Sequence, residues 1–387
     1  MKKSEHIRIL LIGAGGYGSN YLNELTENIV TSAELAGICE VMPGAYERYK
    51  CIPVYQTPMA FFREQKADLA VISSPIHLHF EQVKTCLMGG ANVLCEKPVS
   101  TSVQGAEELI ELERQTGKFV SIGYQLNYSG DVLELKQDIL SGRFGKPLLM
   151  KAFHGMRRGD RYYNRNNWAG RIMVNGCRVN DSPFNNACAH QFQNMTFLLG
   201  KAMDMAMDIK EVQAELYRAN REVENYDTAA VCAVMENGIP IYYYTTHNLA
   251  ERKWGPICEY QFEEGTVYFG RDFGDGPVNE YVAVFNDGTI KNYGEISKGH
   301  RLQKLYDAIA STRQGSHPVC TIQCAIPHLE AVEKLAELPV WLVRDDCLEQ
   351  INEDGEQFCC IRDAGRLLKT CYSNQKLPSE LGINWKI

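Results

Sequence analysis

The feature that most constrains this chain is a glycine cluster at the end of its first apolar run. Ile7 to Ile12 is apolar apart from Arg8, and Gly13-Ala14-Gly15-Gly16-Tyr17-Gly18 follows without a gap. This is the G-x-G-x-x-G spacing of a dinucleotide-binding turn. Gly13 allows the tight turn, Gly15 lets the backbone approach a pyrophosphate, and Gly18 lets the next helix pack close to the strand. The helix N-terminus then offers N–H groups and a partial positive charge to phosphates. Gly16 and Tyr17, inside the turn, are candidate cofactor contacts with the other residues of the cluster. The second strand, Ala33 to Glu40, ends in an acid 22 residues past Gly18. A carboxylate there can accept from both ribose hydroxyls and repels a 2′-phosphate, so Glu40 favours NAD over NADP.

The pattern around the cluster continues as alternating strand and helix. Asp68 to Ser73, Ala91 to Cys95 and Phe119 to Gly123 read as further short strands. A helix is expected from Thr101 to Gln115, with Thr101 and Gln104 at capping-box spacing. Short, largely apolar strands separated by helices indicate a parallel sheet covered on both faces. The expected fold is therefore α/β, an N-terminal doubly wound parallel Rossmann sheet over residues 1–125.

Beyond about Gly145 the signals change to hairpins. Asn237-Gly238 joins Thr228–Glu236 to Ile239–Thr246, and Asp287-Gly288 joins Tyr281–Asn286 to Thr289–Asn292. Both turn residues of such loops must tolerate positive φ, which Asn-Gly and Asp-Gly do. Glu264-Gly265 is a further expected turn. Residues 126–339 are read as an α/β domain with a large open, mainly antiparallel sheet, and 340–387 as a C-terminal extension packing on both domains. Such a sheet could serve a homo-oligomer, a dimer or tetramer, with Tyr242-Tyr243-Tyr244 as a candidate contact strand. One helix interrupts it. Ser182 is the expected N-cap, Pro183 the first helical residue and Gly200 the C′ residue. Asn186, His190 and Asn194 then share one face.

Composition bounds the partners. The 387 residues carry a net charge of −8, which lacks the basic face of a nucleic-acid binder. No run approaches the ~18 apolar residues that span a bilayer, and Met1 to His6 carry no signal-peptide core. The 14 cysteines are scattered, have no CxxC or zinc-ligand spacing, and lie mostly among apolar neighbours. They are read as reduced, largely buried thiols of a cytoplasmic protein without a metal site.

Candidate chemical residues lie at the ends of the expected strands and on the interrupting helix. Lys97, in Glu96-Lys97-Pro98, follows the fourth strand and faces the ligand crevice. Its ammonium can hold a substrate hydroxyl and polarise a forming carbonyl. Pro98 can fix that backbone, with a cis bond as one route. An imidazole titrates near neutrality as a rule, so His190 is a candidate to take a proton from an alcohol. Ser73, Ser74, Pro75 and His77 follow the third strand as candidate cofactor-edge residues, with His79 read likewise as a loop residue. Tyr124, Asn167 and Trp168 are candidate substrate contacts, the last two suited to hydrogen-bonding and stacking on a sugar.

Taken together, GAGGYG at 13–18, SSPIHLH at 73–79, CEKPVS at 95–100, GYQLNY at 123–128 and the helix around His190 resemble the Gfo/Idh/MocA oxidoreductases, relatives of glucose–fructose oxidoreductase and inositol dehydrogenase. The likeness runs from residue 5 to about 338. It implies hydride transfer between bound NAD and a carbinol carbon of a sugar, glycoside or cyclitol. It also implies that Lys97 and His190 are catalytic, and that Ser74, His77, Glu96 and Gln125 lie beside the cofactor. One departure matters. Where the family commonly has Asp-x-Gly-x-His, this chain has Asn186-Ala187-Cys188-Ala189-His190. An amide is no carboxylate base but can orient a hydroxyl, so Asn186 is assigned that role and His190 more of the proton transfer. Asp181 is read first as a helix cap and second as a nearby carboxylate for the substrate. Two other readings use the same parts: a redox-neutral NAD-dependent glycosidase that oxidises its sugar transiently, and a non-catalytic NAD or sugar sensor. Retention of both Lys97 and His190 argues against the sensor.

Overall fold

The structure, a computed structural model, describes residues 6–27, 32–41, 51–272, 276–295 and 301–387. Met1 to Glu5, at the start of the chain, lie outside them. Two compact units are present: Met1–Ser129 with Gly299–Ile326, and Gly130–Lys298 with Pro327–Ile387.

The first unit is built on a six-stranded sheet. Its elements are β1 (Ile7–Ile12), α1 (Gly18–Thr26), β2 (Ala33–Cys39), β3 (Val54–Tyr55), α2 (Pro58–Glu64), β4 (Leu69–Ile72), α3 (His79–Met88), β5 (Asn92–Cys95), α4 (Val103–Thr116) and β6 (Val120–Ile122). The strands run parallel in the order β3-β2-β1-β4-β5-β6, the doubly wound arrangement with its switch point beside β1. β4 is buried at all four positions, as a strand covered on both faces must be. α4 starts at Val103, two residues later than expected. Ser102, in extended conformation, caps it by accepting from the Gly105 N–H at 3.1 Å, so Thr101 and Gln104 form no capping box.

The second unit holds α5 (Gly130–Leu140), β7 (Pro147–Arg157), α6 (Asp160–Tyr163), the small hairpin β8 (Met173–Val174) and β9 (Cys177–Arg178), and α7 (Ala189–Leu198). Then come β10 (Ile209–Arg218), β11 (Thr228–Met235), β12 (Pro240–Thr246), β13 (Asn248–Phe262), β14 (Gly265–Phe269), β15 (Glu280–Phe285) and β16 (Ile290–Glu295). After α8 (Gln303–Gln314) and α9 (Ile322–Ala336), the unit closes with β17 (Val340–Leu342), β18 (Leu348–Glu353), β19 (Glu356–Ile361) and α10 (Ala364–Asn374). Nine strands form one sheet, β16-β15-β14-β13-β7-β12-β11-β10-β17, antiparallel except at β12–β7 and β10–β17. Both Asn-Gly and Asp-Gly turns join the strands expected of them, with Gly238 and Gly288 at φ of +83° and +86°.

Two placements differ from the sequence reading. α8 belongs to the first unit, although 299–326 was assigned to the second domain. Leu305, Ala308 and Ile309 pack with Ile9, Leu11, Leu69, Val71 and Leu94. The apolar stripe of α8 was legible, but a stripe does not say which sheet it covers. The C-terminal segment 340–387 belongs to the second unit rather than to both. There Leu368, Cys371 and Tyr372 pack with Phe153, Tyr244 and Leu249, so part of one face of the sheet is covered. The three tyrosines on β12 split accordingly. The Tyr244 hydroxyl donates to the Cys371 and Lys376 carbonyls under α10, and Tyr243, on the opposite face, donates to the Cys188 carbonyl.

No disulfide joins the 14 cysteines; Cys51 and Cys177 are exposed, and nine are buried. Native protein treated with a chromogenic thiol reagent should therefore show two fast-reacting thiols, rising to 14 in denaturant. Fast reaction of more than five would mean that the interior is not packed as described.

Candidate active site

In the first unit the candidate cofactor residues gather at the carboxyl ends of β1, β2, β4, β5 and β6, where doubly wound sheets bind ligands. Gly13 has φ +82°, and a Cβ there would stand 2.9 Å from backbone atoms of Ser73 and Ser74. The β1 and β4 turns can approach only because this residue is glycine. A Cβ on Gly18 would meet the Gly13 carbonyl oxygen at 1.9 Å, which fixes how closely α1 follows the strand. Gly16, at φ +52°, has open space on its Cβ side, and no side chain caps α1. The Glu40 carboxylate is anchored against the same turn. One oxygen accepts from the Ala14 and Gly15 amides at 2.9 and 3.2 Å, the other from the Val41 amide at 2.8 Å. A glycine turn open at Gly16, an uncapped helix start and an acid at the end of β2 fit a dinucleotide, with Glu40 on the ribose side.

His79 ties the two neighbouring turns together. Its ring nitrogens lie 2.9 Å from the Ser74 carbonyl oxygen and 2.7 Å from that of Pro98. Burial lowers its pKa, against the pull of the two carbonyls and Glu96. Ser74 donates to Gln82 at 2.5 Å, and burial also lowers the pKa of the half-buried His77. Lys97 is half-buried and its bond to Pro98 is cis. Tyr124 is 1% exposed, its phenol pushed far up by burial, while Gln125 is half-buried at the start of a short 3-10 turn.

Beside Lys97 lies a buried ionic cluster that sequence reasoning missed. Glu96 accepts from the Tyr21 hydroxyl at 2.6 Å and from the Lys304 ammonium, which also reaches the Gly123 carbonyl at 3.3 Å. The Lys304 side chain is 2% exposed and that of Glu96 14%. Burial raises the Glu96 carboxyl pKa, but Lys304, Tyr21 and Lys97 outweigh it and hold the group below the usual range. Gly123 is required here, since its Cβ would stand 2.8 Å from a Glu96 carboxylate oxygen. The signal that could have found Lys304 is its position on the apolar stripe of α8, four residues before Ala308.

In the second unit the helix expected from Ser182 to Gly200 is interrupted. Ser182 caps as expected, accepting from the Asn185 amide at 3.1 Å, but a π-turn runs over Pro183–Ala187 before α7 begins at Ala189. Asn186 therefore does not continue the α-helical face of His190 and Asn194. Asn194 is buried and accepts from Tyr281. Gly200 is not left-handed either; it is required because a Cβ would meet the Met205 carbonyl oxygen at 2.0 Å. π-turns recur at functional sites because the inserted residue re-aims side chains. Between Asp181 and Leu198 only Asn186, Ala187 and His190 are not fully buried.

Asp181 does not cap the helix. One of its oxygens accepts from the Gly170 amide at 2.6 Å and the other from the Asn186 side-chain amide at 2.7 Å. The donor end of Asn186 is thereby oriented and its carbonyl oxygen is the acceptor end. Asn166 accepts from the Trp168 and Ala169 amides, and Trp168 is half-buried while Asn167 is exposed. Gln191, next to His190, bonds His154 at 3.0 Å.

Lys304→Met should lower stability by ~3–5 kcal/mol, because it leaves a buried carboxylate without its cation. Adding Glu96→Gln should restore part of the loss, as differential scanning calorimetry would show. The depressed Glu96 pKa stabilises the fold above the ordinary glutamate range, and that contribution is lost as pH falls through the folded value. A further test concerns Asn186→Asp. Two carboxylates would then face each other where the Asp181 bond is now 2.7 Å, so one should hold a proton well above its usual range. The variant should melt close to wild type at pH 5 and several degrees lower at pH 8. Equal melting at both pH values would mean the two groups do not meet.

A family model described as an oxidoreductase family with an NAD-binding Rossmann fold matches residues 7–124, and the GFO/IDH/MocA C-terminal domain matches 132–268. Among curated relatives, inositol 2-dehydrogenase of Rubrobacter xylanophilus is 28% identical over 155 residues, 39% of this chain and 44% of that protein. The inositol 2-dehydrogenase/D-chiro-inositol 3-dehydrogenase of Lactiplantibacillus plantarum is 23% identical over 160 residues, 40% of this chain and 45% of that protein. The chain thus spans under half the length of these relatives. In fold it is similar to the WlbA dehydrogenase from Bordetella pertussis, solved with NADH and UDP-GlcNAcA, at TM-score 0.70 and 20% identity over 86% of this chain and 99% of that one. It is also similar to an Agrobacterium radiobacter oxidoreductase solved with NAD+, L-tartaric acid and magnesium, at TM-score 0.68 and 15% identity over 85% and 95% of the two chains. With an NAD-binding turn built from Gly13 to Gly18 and both domain models matched in order, the chain belongs to the Gfo/Idh/MocA family of oxidoreductases.

Proposed function

We propose that this chain is an NAD-dependent dehydrogenase that oxidises, or reduces back, one carbinol carbon of a sugar, glycoside or cyclitol. The observation that carries this reading is that Asn186 and His190 are the two polar side chains left partly exposed on an otherwise largely buried segment, in a chain whose Lys97 turn is held by buried bonds. The curated relatives are named for inositol oxidation, and the solved neighbours contain NAD+ or NADH together with UDP-GlcNAcA or L-tartaric acid.

Gly13, Gly15, Gly16, Tyr17, Gly18, Glu40, Ser73, Ser74, Pro75, His77, Glu96, Lys97 and Gln125 are the residues we assign to the cofactor. When bound, NAD supplies the hydride acceptor. His190 takes the hydroxyl proton as the carbinol is oxidised and returns it in the reverse direction. Lys97 donates to the same oxygen and stabilises negative charge developing on it. Asn186, its amide held by Asp181, accepts from a substrate hydroxyl and sets its orientation. Tyr124, Asn167, Trp168 and Asp181 complete the substrate side of the proposal. Fourteen cysteines without a disulfide suit a reducing compartment such as the cytoplasm. A homo-oligomer through the large sheet remains part of this reading.

Absorbance at 340 nm tests it. Incubation with NAD+ and a panel of inositols, sugars and glycosides should give lasting NADH with at least one substrate. Lys97→Ala and His190→Ala should each lower kcat/KM by ~100-fold or more, with NAD affinity little changed in His190→Ala. Glu40→Ser should narrow the preference for NAD over NADP. Near-wild-type turnover by His190→Ala would remove that residue from the mechanism, and tighter binding of NADP by the wild type would refute the role of Glu40.

A further inference from the structure

Two arginines in the second unit share one aromatic ring. Arg158 follows β7 and Arg165 follows α6; their guanidinium carbons lie 4.6 and 3.7 Å from the ring centre of Tyr162, and Arg165 also lies 5.1 Å from that of Trp168. Among the described residues neither guanidinium is ion-paired with a carboxylate. Arg157, one residue earlier, is paired with Glu353. Among the described residues the Arg158 guanidinium donates to the Met156 sulfur and its buried Nε has no hydrogen-bond partner, while Arg165 donates to the Tyr162 carbonyl. In a chain with 48 acids against 40 bases, two cations on one ring with no ion-paired carboxylate among the described residues call for a physical reason. Like charges repel, and an anion shared between the two guanidiniums would offset that repulsion.

The Tyr162 ring also lies 5.3 Å from that of His247, and the charge of Arg158 acts on both His154 and His247. His154 and His247 are 6% and 2% exposed, and the Nε2 of each is buried without a hydrogen-bond partner. His154 faces the Gln191 carbonyl oxygen through Nδ1, which must then carry the proton, leaving Nε2 as an acceptor suited to a hydroxyl. Burial, with Lys253 and Arg158 adding to it, lowers the His154 pKa to about 4, so the ring is neutral near pH 7. Asp181, the carboxylate whose charge acts on the Tyr162 hydroxyl, is engaged by Gly170 and Asn186.

We propose that Arg158 and Arg165, stacked on Tyr162, form an anion subsite that takes a carboxylate or phosphoryl group carried by the sugar or polyol. This rests on the reading above that Asn186 and His190 face the substrate, since Asp181, whose charge acts on Tyr162, holds Asn186, and His154 bonds Gln191, the residue after His190. The planar guanidinium fork suits either oxyanion, and neither neutral polyols nor inositols would use it.

Isothermal titration of the NADH-loaded protein with D-glucose, D-glucuronate and D-glucose 6-phosphate tests the subsite without requiring turnover. Wild type should bind at least one of the two anions about 10- to 100-fold more tightly than glucose, the scale of charged hydrogen bonds. Which anion wins identifies the carboxylate or the phosphoryl group. Arg158→Met should lose most of that advantage, with a loss for the anion exceeding any loss for glucose. Arg165→Met, at an exposed position that does not threaten folding, should show the same selectivity of loss. Equal binding of glucose and both anions, or an anion preference untouched in both variants, overturns the subsite. Arginine-dependent anion binding without NADH formation at 340 nm would keep the subsite and defeat the dehydrogenase reading. NADH formation from neutral polyols with no anion preference would do the reverse.

Discussion

A carboxylate buried inside a protein cannot stay ionised without partners that replace its water, and the first unit is organised around one. Glu96 receives the Lys304 ammonium and the Tyr21 hydroxyl. These bonds join α1, the turn after β5 and α8, and Lys304 extends the tie to the Gly123 carbonyl after β6. The cluster gives α8 a polar reason to return to a sheet that the chain left 170 residues earlier, beyond the apolar contact of Leu305 and Ile309. Desolvating both ions makes such a pair a poor source of net stability, yet breaking it is costly. Its main consequence is fixed geometry in the Glu96-Lys97-Pro98 turn, which His79 holds from the other side through the Pro98 carbonyl. Lys97, the proposed oxyanion donor, is attached to a turn clamped by both.

The second unit solves the complementary problem, presenting two polar side chains from a segment that is otherwise core. The π-turn after Ser182 separates Asn186 from the regular turns of α7, and Asp181 holds its amide. Asp181, a carboxylate five residues before Asn186, thus acts on this segment through an amide. A hydroxyl can still be oriented this way. In the proposed reaction, proton transfer then falls to His190, the one α7 residue that is not buried.

The Rossmann unit was legible because buried parallel strands read as apolar runs and because glycines at fixed spacing have few other uses. The hairpins were legible for a related reason: Gly238 and Gly288 occupy positive φ that few residues accept. What escaped was set by contacts distant in sequence. β3 is two residues long and carries no periodicity. Lys304 lies 208 residues from Glu96, so its place on an apolar stripe hinted at burial but named no partner. The break after Ala187 follows a cap and an apolar pattern that suit a continuous helix. Gly200, read as the C′ residue, follows the C-cap Leu199, but its glycine is needed for close passage of the Met205 carbonyl. In the candidate site, the residue types and strand ends were readable, whereas the Asp181–Asn186 bond and the Glu96 cluster depended on the folded geometry.

The central claim is that the bound nicotinamide exchanges hydride with a carbinol carbon of a polyhydroxy substrate. Mass spectrometry of the cofactor after incubation of the protein with NAD+ and ring-deuterated inositols and sugars measures this step directly. The account predicts NADH heavier by one deuterium, taken from the oxidised carbon. Reduced cofactor without added mass, or no labelled NADH from any of these substrates while NAD is bound, would contradict it.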